Sequence, residues 1–210
     1  MPTKQLKTTI AAGSLVVAMA CIALLFYSGA RLNDGLSGPT RMTKSADGTL
    51  WVVSHRALHQ LKADGMRVQK IELSELGIKD IVSGLAVAGN DTVFIAQASP
   101  SSIQRCLLQE RKCTDITPAV TSTAGAPTYS MMIAVNDAAG RLLISDNGGH
   151  RVLLADFDGN VLDRSTPAAY RYPNQPTWIA ADKIAVPDTN HHRIVSVSIA
   201  DDKLGAPRRE

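Results

Sequence analysis

The amino-acid sequence predicts an all-β fold of repeated four-stranded sheets, preceded by one N-terminal transmembrane helix. Three observations lead to this prediction. An uncharged apolar run occupies residues 10–30, short runs of branched and aliphatic residues alternate with turn residues after it, and the pattern returns at intervals of 42 to 49 residues. Helical periodicity is weak outside the apolar run.

The N-terminal run, IAAGSLVVAMACIALLFYSGA, contains no charged residue over positions 10–30. About 20 apolar residues suffice to cross the hydrocarbon core of a bilayer. Lys4 and Lys7 precede the run, which favours a cytoplasmic tail over residues 1–9 and a periplasmic or extracellular location for the rest of the chain. The alternative is a cleaved signal peptide, because the small residues at 28–30 suit a cleavage site, although such peptides usually have a shorter apolar region.

The charge distribution argues against a nucleic-acid partner. The net charge is +3, and the first 31 positions hold three basic residues and no acidic one. The remainder carries 19 basic and 19 acidic residues, so it is neutral overall. Nucleic-acid binders usually concentrate basic residues on one face. The membrane is therefore the partner that the charge pattern indicates, through the N-terminal run.

Four strand pairs follow a short linker at residues 31–38. Each pair starts with an apolar run that ends on a polar residue, and a turn leads to a second run, which is the pattern of β-hairpins. The first runs are TLWVVS (49–54), TVFIAQ (92–97), RLLISD (141–146) and KIAVPD (183–188). Repeats of about 40–50 residues with four short strands each are typical of propeller blades, which stack to bury both sheet faces. Residues 39–210 are therefore predicted to form a β-propeller of about four blades.

The last two repeats share a motif at the turn after their first run. It reads ISDNGGHRV at residues 144–152 and AVPDTNHHRI at residues 185–194. Both stretches resemble NHL repeats, whose consensus places Asp, Gly, Asn, His and Arg in this order. The resemblance is specific over residues 140–199, whereas residues 40–117 match in spacing and strand rhythm only. It implies an NHL-type β-propeller.

The repeated acidic and basic residues of this motif are expected to shape the turn. A carboxylate before a turn accepts backbone N–H bonds, and a following arginine can reach that carboxylate. Gly or Asn within the turn is expected to supply the positive φ. The structural residues predicted in this way are Asp146, Arg151, Asp188 and Arg193.

The two copies depart from the consensus at four positions. Gly149 and His191 stand where the repeat has Asn, and Asn190 stands where it has Gly. Pro187 removes a backbone donor near the end of a strand. NHL-type propellers typically have six blades, and residues 39–210 have room for four. A small or open propeller that another chain completes, and a chain truncated relative to a longer relative, both fit this count.

Two cysteines suggest a disulfide across a hairpin. Cys106 and Cys113 flank LLQERK, and a two-residue loop at Gln109 and Glu110 would place them opposite each other. A disulfide there suits an oxidising compartment outside the cytoplasm. Two free thiols are the alternative, because a different loop length would break the register. No second cysteine pair is present to complete a zinc site.

The sequence contains no motif for a catalytic nucleophile, a phosphate loop or a metal site, and no cofactor or metal is predicted. His150 and His192 fall in equivalent turns, which emerge on one face of a propeller. Some relatives of the repeat, such as peptide-amidating lyases, bind metal through histidines on that face. The resemblance therefore also implies, as an alternative function, a metal-dependent hydrolase or lyase.

A loop before the last repeat is the better candidate for partner contact. Aromatic rings with polar ends and arginines are enriched at interfaces. The predicted contact residues are Tyr129, Tyr170, Arg171 and Tyr172, together with His150 and His192. The favoured function is a membrane-anchored propeller that binds or senses a protein or small-molecule ligand. The further alternative is a non-catalytic remnant of a longer propeller protein.

Overall fold

The computed structural model describes residue 36, residues 38–127 and residues 130–209. The chain divides into two units, Met1–Gly38 and Pro39–Glu210, and the second unit contains the fold described below. The predicted anchor and tail, and Tyr129, lie outside the described residues. The described residues contain no helix with the length and hydrophobicity of a transmembrane span.

Four antiparallel sheets make up the second unit, and each sheet takes its strands in chain order. The first sheet contains β1 (Pro39–Lys44), β2 (Leu50–Ser54), β3 (Ala57–Leu61) and β4 (Arg67–Glu72). The second contains β5 (Val82–Ala88), β6 (Thr92–Ala98), β7 (Ser101–Leu107) and β8 (Lys112–Asp115). The third contains β9 (Met131–Asn136), β10 (Arg141–Asp146), β11 (Arg151–Asp156) and β12 (Val161–Arg164). The fourth contains β13 (Thr177–Ala180), β14 (Lys183–Asp188), β15 (Arg193–Ala200) and β16 (Lys203–Leu204), and β17 (Arg208–Arg209) also pairs with β15.

The core lies between neighbouring sheets, in three apolar layers. Strand β10 is an example, and the packing on its two faces explains its uninterrupted apolar run. Leu142 and Ile144 pack in the layer shared with the second sheet, whereas Leu143 packs in the layer shared with the fourth. Successive side chains of a strand point to opposite faces, so a sheet that is covered on both sides needs apolar residues at every position. The predicted stacking of sheets accounts for this pattern.

The first strands of all four sheets lie around one cavity of about 480 Å³. Its lining includes residues of β1, β5, β9 and β13. A shared cavity at the first strands is the arrangement expected when sheets stack around an axis. We call this space the axial cavity.

One short helix, α1 (Thr117–Ala124), connects the second and third sheets and was not expected from the sequence. Pro118 stands in its first turn, where a missing backbone N–H costs nothing. Val120 and Ala124 are buried in the layer between the second and third sheets. Because the helix is short and rich in β-branched residues, its stability comes from this packing and its sequence carries little helical signal.

The hairpin between β7 and β8 has the register that the cysteine spacing predicts. Leu107 pairs with Lys112, and Cys106 lies opposite Cys113 with 4.0 Å between the Cα atoms. The N–H of Arg111 donates to the carbonyl oxygen of Leu108 at 3.3 Å, which closes the turn. A disulfide joins the two cysteines.

Candidate functional site

The two acidic-and-basic turns occupy equivalent positions in the third and fourth sheets. In each sheet the aspartate ends the second strand, the arginine begins the third, and the two residues pair across the hairpin. The Nε atom of Arg151 donates to Asp146 Oδ2 at 2.9 Å, and that of Arg193 donates to Asp188 Oδ2 at 2.8 Å. Both carboxylates are buried. The 42-residue spacing therefore places these residues in the same local structure twice.

Each of these arginines also binds the chain segment that precedes its sheet. Arg151 donates to the carbonyl oxygens of Ala124 and Gly125, and Arg193 donates to that of Ala169 at 3.1 Å. The ion pair thus fastens the hairpin to the connection between two sheets. This geometry supports the structural role proposed for the motif.

The positive φ of these turns belongs to the histidines, so the expectation that Gly or Asn would supply it is wrong. His150 has φ 55° and His192 has φ 51°, each directly before its arginine. Gly149 provides space instead, because a Cβ atom there would overlap the carboxylate of Asp146. In the fourth sheet His191 occupies the equivalent position. Its presence coincides with a different backbone partner for the carboxylate of Asp188.

The two buried carboxylates differ in their backbone partners. Asp146 Oδ1 accepts the N–H of Gly149 at 3.0 Å, within its own turn. Asp188 Oδ1 accepts the N–H of Arg171 at 2.7 Å, from the preceding connection, and its Oδ2 contacts Nδ1 of His191 at 2.8 Å. Burial acts to raise the pKa of Asp188, but the N–H of Arg171 and the side chains of His191 and Arg193 together hold this pKa below its ordinary value.

Pro187 is accommodated in β14 with little loss of pairing between strands. It lies opposite Ile194 of β15 and beyond Ala185, which is the last β14 residue paired with Thr177 of β13. Its carbonyl oxygen accepts the N–H of Asn174 at 2.8 Å. The proline therefore stands beyond the ladder with β13, where the segment around Asn174 bonds to its carbonyl oxygen and needs no backbone donor from residue 187.

A cleft of about 620 Å³ opens beside the two motif turns, and we refer to it as the cleft. Its lining combines the turn of the third sheet with the connection between the third and fourth sheets. The lining residues are Gly149, His150, Arg151, Arg164, Ser165, Thr166, Pro167, Ala168, Tyr170, Arg171 and His191. They include three arginines and two histidines, and no aspartate or glutamate.

Hydrogen bonds orient both imidazole rings of the cleft. The backbone N–H of Tyr172 donates to Nδ1 of His150 at 3.0 Å, so the neutral ring carries its proton on Nε2. The rings of His150 and Tyr172 also contact each other, with centroids 5.7 Å apart. His191 uses Nδ1 for Asp188, which leaves its Nε2 for other partners. In both rings Nδ1 is therefore bonded to the protein, and Nε2 can bond to solvent or a ligand.

The predicted contact residues are divided by the structure. His150 and Arg171 line the cleft. Tyr170 also lines it, but only 3% of this residue is exposed, and burial raises the pKa of its hydroxyl, so it is an apolar wall of the core. Tyr172 lies against His150 without lining the cleft. His192 was predicted from the equivalent turns, whereas the structure places His191 in the lining.

Sequence reasoning missed several residues of the cleft, among them His191, Arg164 and Thr166. His191 adjoins the predicted His192, and its one signal is that it replaces an Asn of the consensus. Arg164 ends β12 and Thr166 follows it, outside the recognised motif. The side chains of Arg164 and Arg171 have no hydrogen bond or ion pair within the part of the chain that the structure describes.

No group of three or more His, Cys, Asp and Glu side chains in the described ranges is arranged to hold a metal ion. The metal-dependent alternative therefore gains no ligand set from these residues. His150 and the neighbouring His191 are each committed to a different protein partner through Nδ1.

Solved structures of known proteins share this architecture. A virginiamycin B lyase from Staphylococcus aureus matches with a TM-score of 0.56 and 14% identity, over 85% of this chain and 57% of the lyase chain. Hydrazine synthase from Kuenenia stuttgartiensis matches with a TM-score of 0.59 and 13% identity, over 84% and 50% of the two chains. A chain of the nidogen–laminin complex matches with a TM-score of 0.56 and 18% identity, over 77% and 60%.

The lyase and nidogen are propeller-type proteins. The fold is that of β-propellers. The chain spans about half the length of the structures it matches, and its four sheets are propeller blades. No protein-family model matches the propeller, and no curated protein matches it in sequence. The likeness to NHL repeats therefore stays a resemblance, while the fold that it implies is supported.

Proposed function

We propose that this propeller is a binding module and that the cleft between its third and fourth blades is the recognition site. We further propose that residues 10–30 hold it at a membrane, with the propeller on the extracytoplasmic side. The uncharged N-terminal run and the disulfide between Cys106 and Cys113 both support that location. Among the matched structures, the nidogen–laminin complex is an example of a propeller protein bound to a protein partner.

The observation that carries the proposal is the set of unused donors in the cleft. Arg164 and Arg171 both line the cleft, and their side chains have no partner within the described residues. His150 is bonded to the protein through Nδ1, which leaves its Nε2–H as a further donor. Long cationic side chains lose conformational entropy when they are fixed, and this loss opposes binding. A ligand that pairs with them must therefore offset it with favourable interactions. A concave site with a few convergent polar groups is the usual form of a ligand site.

The axial cavity has one cation without a hydrogen bond or ion pair among the described residues, Lys44, whereas the cleft has two. Arg41 donates through Nε to the carbonyl oxygen of Ser83 at 2.7 Å. Gln175 donates through Nε2 to the carbonyl oxygen of Ile133 at 2.6 Å. These side chains join neighbouring blades and are occupied by that task. The cleft is therefore the better candidate.

A ligand screen tests the site. Ligand-observed NMR of the full-length chain with a library of anionic, neutral and cationic fragments is expected to yield binders. Thr166→Trp should abolish their binding, because an indole at this exposed position fills the cleft. Thr177→Trp is the matched control, since Thr177 is also exposed and lines the axial cavity. Loss of binding in the control alone would move the site to the axial cavity, and unchanged binding in both variants would refute a site in either cavity.

The anchor has a separate test. The full-length chain is expected to stay in the membrane fraction after alkaline carbonate washing, because about 20 uncharged residues partition into the bilayer. Replacing Met19 and Ala20, at the middle of the run, with arginine should release it, since each charge at mid-membrane costs about 2.5–3.5 kcal/mol. The intact mass of the purified chain distinguishes a retained anchor from a cleaved one. A wild-type chain that is released by the wash, with residues 10–30 still attached, would contradict the tether.

A further inference from the structure

We infer that the cleft recognises an oxyanion, the carboxylate or phosphate group of a small ligand with an apolar body. This inference rests on the proposed function and specifies the ligand class. It follows from the charges that line the cleft, from the orientation of its imidazoles and from the apolar part of its lining.

The charge at the cleft is positive after the protein's own ion pairs are counted. Two of four arginines in this region, Arg151 and Arg193, pair with the buried carboxylates of Asp146 and Asp188. Both carboxylates lie behind the surface of the cleft and are not among its lining residues. The remaining cations are Arg164 and Arg171, so the cleft carries two uncompensated positive charges.

Guanidinium groups favour oxyanions for geometric reasons. Their N–H donors form a planar fork that matches the two oxygens of a carboxylate or two oxygens of a phosphate. Arg164 and Arg171 reach the cleft from different segments, the end of β12 and the connection before β13. An anion between them would be held from two sides.

The imidazoles add one oriented donor and one acceptor. His150 presents an N–H at Nε2, because Nδ1 accepts the backbone N–H of Tyr172. His191 donates through Nδ1 to Asp188, so the Nε2 of its neutral ring is an acceptor. An oxyanion takes the bond from His150. A hydroxyl on the ligand, such as that of a monohydrogen phosphate, can donate to His191.

Part of the lining of the cleft is apolar. Pro167 and Ala168 line it as exposed residues, and Tyr170, which is almost fully buried, also lines it. A fully hydrated inorganic ion would leave that surface unused. A ligand with an apolar group beside its anionic group would cover it and gain free energy from the buried area.

Calorimetric titration of the full-length chain tests the inference with phenyl phosphate, benzoate and the neutral benzyl alcohol. At least one of the two anions is expected to bind at least tenfold more tightly than the alcohol. The ratio between phosphate and carboxylate affinities then tells which oxyanion the cleft prefers. Equal affinity for benzyl alcohol and both anions would overturn the inference.

Paired charge-neutralising variants separate a site from general electrostatics. Arg164→Gln with Arg171→Gln is expected to weaken anion binding at least tenfold, because both charge-assisted contacts are lost. Arg208→Gln with Arg209→Gln makes the same change in net charge at two exposed residues of β17 and should leave affinity unchanged. Equal weakening by both pairs would overturn the inference.

The two proposals can fail separately. If the fragments whose binding Thr166→Trp abolishes are mostly neutral or cationic, oxyanion recognition is refuted and the proposed binding site in the cleft stands. Failure of every fragment to bind in the cleft would refute both proposals. Because Arg164, Arg171 and Thr166 are exposed, these variants are expected to fold like the wild type.

Discussion

Replacing Asp188 with asparagine is expected to lower the free energy of unfolding by about 3 kcal/mol, as measured by urea denaturation of the full-length chain. Asp188 is fully buried and binds the backbone N–H of Arg171 and the side chains of His191 and Arg193. Asparagine preserves the shape, but its amide group adds donors where the protein already supplies donors. Removing one member of a buried ion pair typically costs about 3–5 kcal/mol.

Asp202→Asn is the matched control for this variant. Asp202 also pairs with an arginine, since Nε of Arg141 donates to its Oδ1 at 2.7 Å. Both groups of that pair are partly exposed, so water screens the attraction and replaces the lost contact. A much smaller loss of stability is therefore expected. Equal losses in the two variants would show that burial of Asp188 does not matter.

The pH dependence of stability gives a second reading of the same carboxylate. The pKa of Asp188 is lowered in the folded state, so the folded state holds the ionised form more strongly than the unfolded state does. This contribution is fully present above the unfolded pKa, about 3.9. It is lost as the pH falls through the lower folded value. The stability difference between the wild type and Asp188→Asn should therefore shrink below about pH 4.

Much of the fold could be predicted from local sequence because the blades are repeats. Asp146 and Asp188 each end an apolar run and precede an arginine by five residues. A turn of fixed length brings such residues together wherever it occurs, and the structure places Arg151 and Arg193 at equivalent register positions, each opposite its aspartate. The spacing between repeats then indicates the stacking, since an isolated blade cannot bury both faces.

The composition of the candidate site could not be predicted in the same way. Which histidine lines the cleft depends on where the preceding connection lies, and that connection is not part of the repeat. Tyr170 resembles a surface aromatic in sequence, yet the neighbouring blades bury it. Gly149 looks like a residue chosen for positive φ, whereas the position of the Asp146 carboxylate is what excludes a side chain there. Each of these facts depends on a neighbour distant in sequence or on a rotamer.

Phe94 and Ile103 are the two large side chains that the second blade contributes to the layer between the second and third blades. Phe94 is fully buried and contacts the ring of Phe157, with centroids 5.1 Å apart. Its companions from the strands β5 and β6 in this layer are the small residues Ala86, Ala88 and Ala96. None of these neighbours can extend into the space that the phenyl ring occupies. Loss of the ring would therefore leave a cavity between the blades.

Phe94→Ala is accordingly expected to lower the free energy of unfolding by about 4 kcal/mol, the sum of lost transfer free energy and the cavity. Urea denaturation of the full-length chain measures this loss, and Phe94→Leu should recover most of it because leucine refills much of the volume. Val68→Ala is the control: Val68 is 54% exposed on β4, so its truncation should cost less than about 0.5 kcal/mol. A loss below about 1 kcal/mol for Phe94→Ala would be inconsistent with tight packing of the second blade against the third.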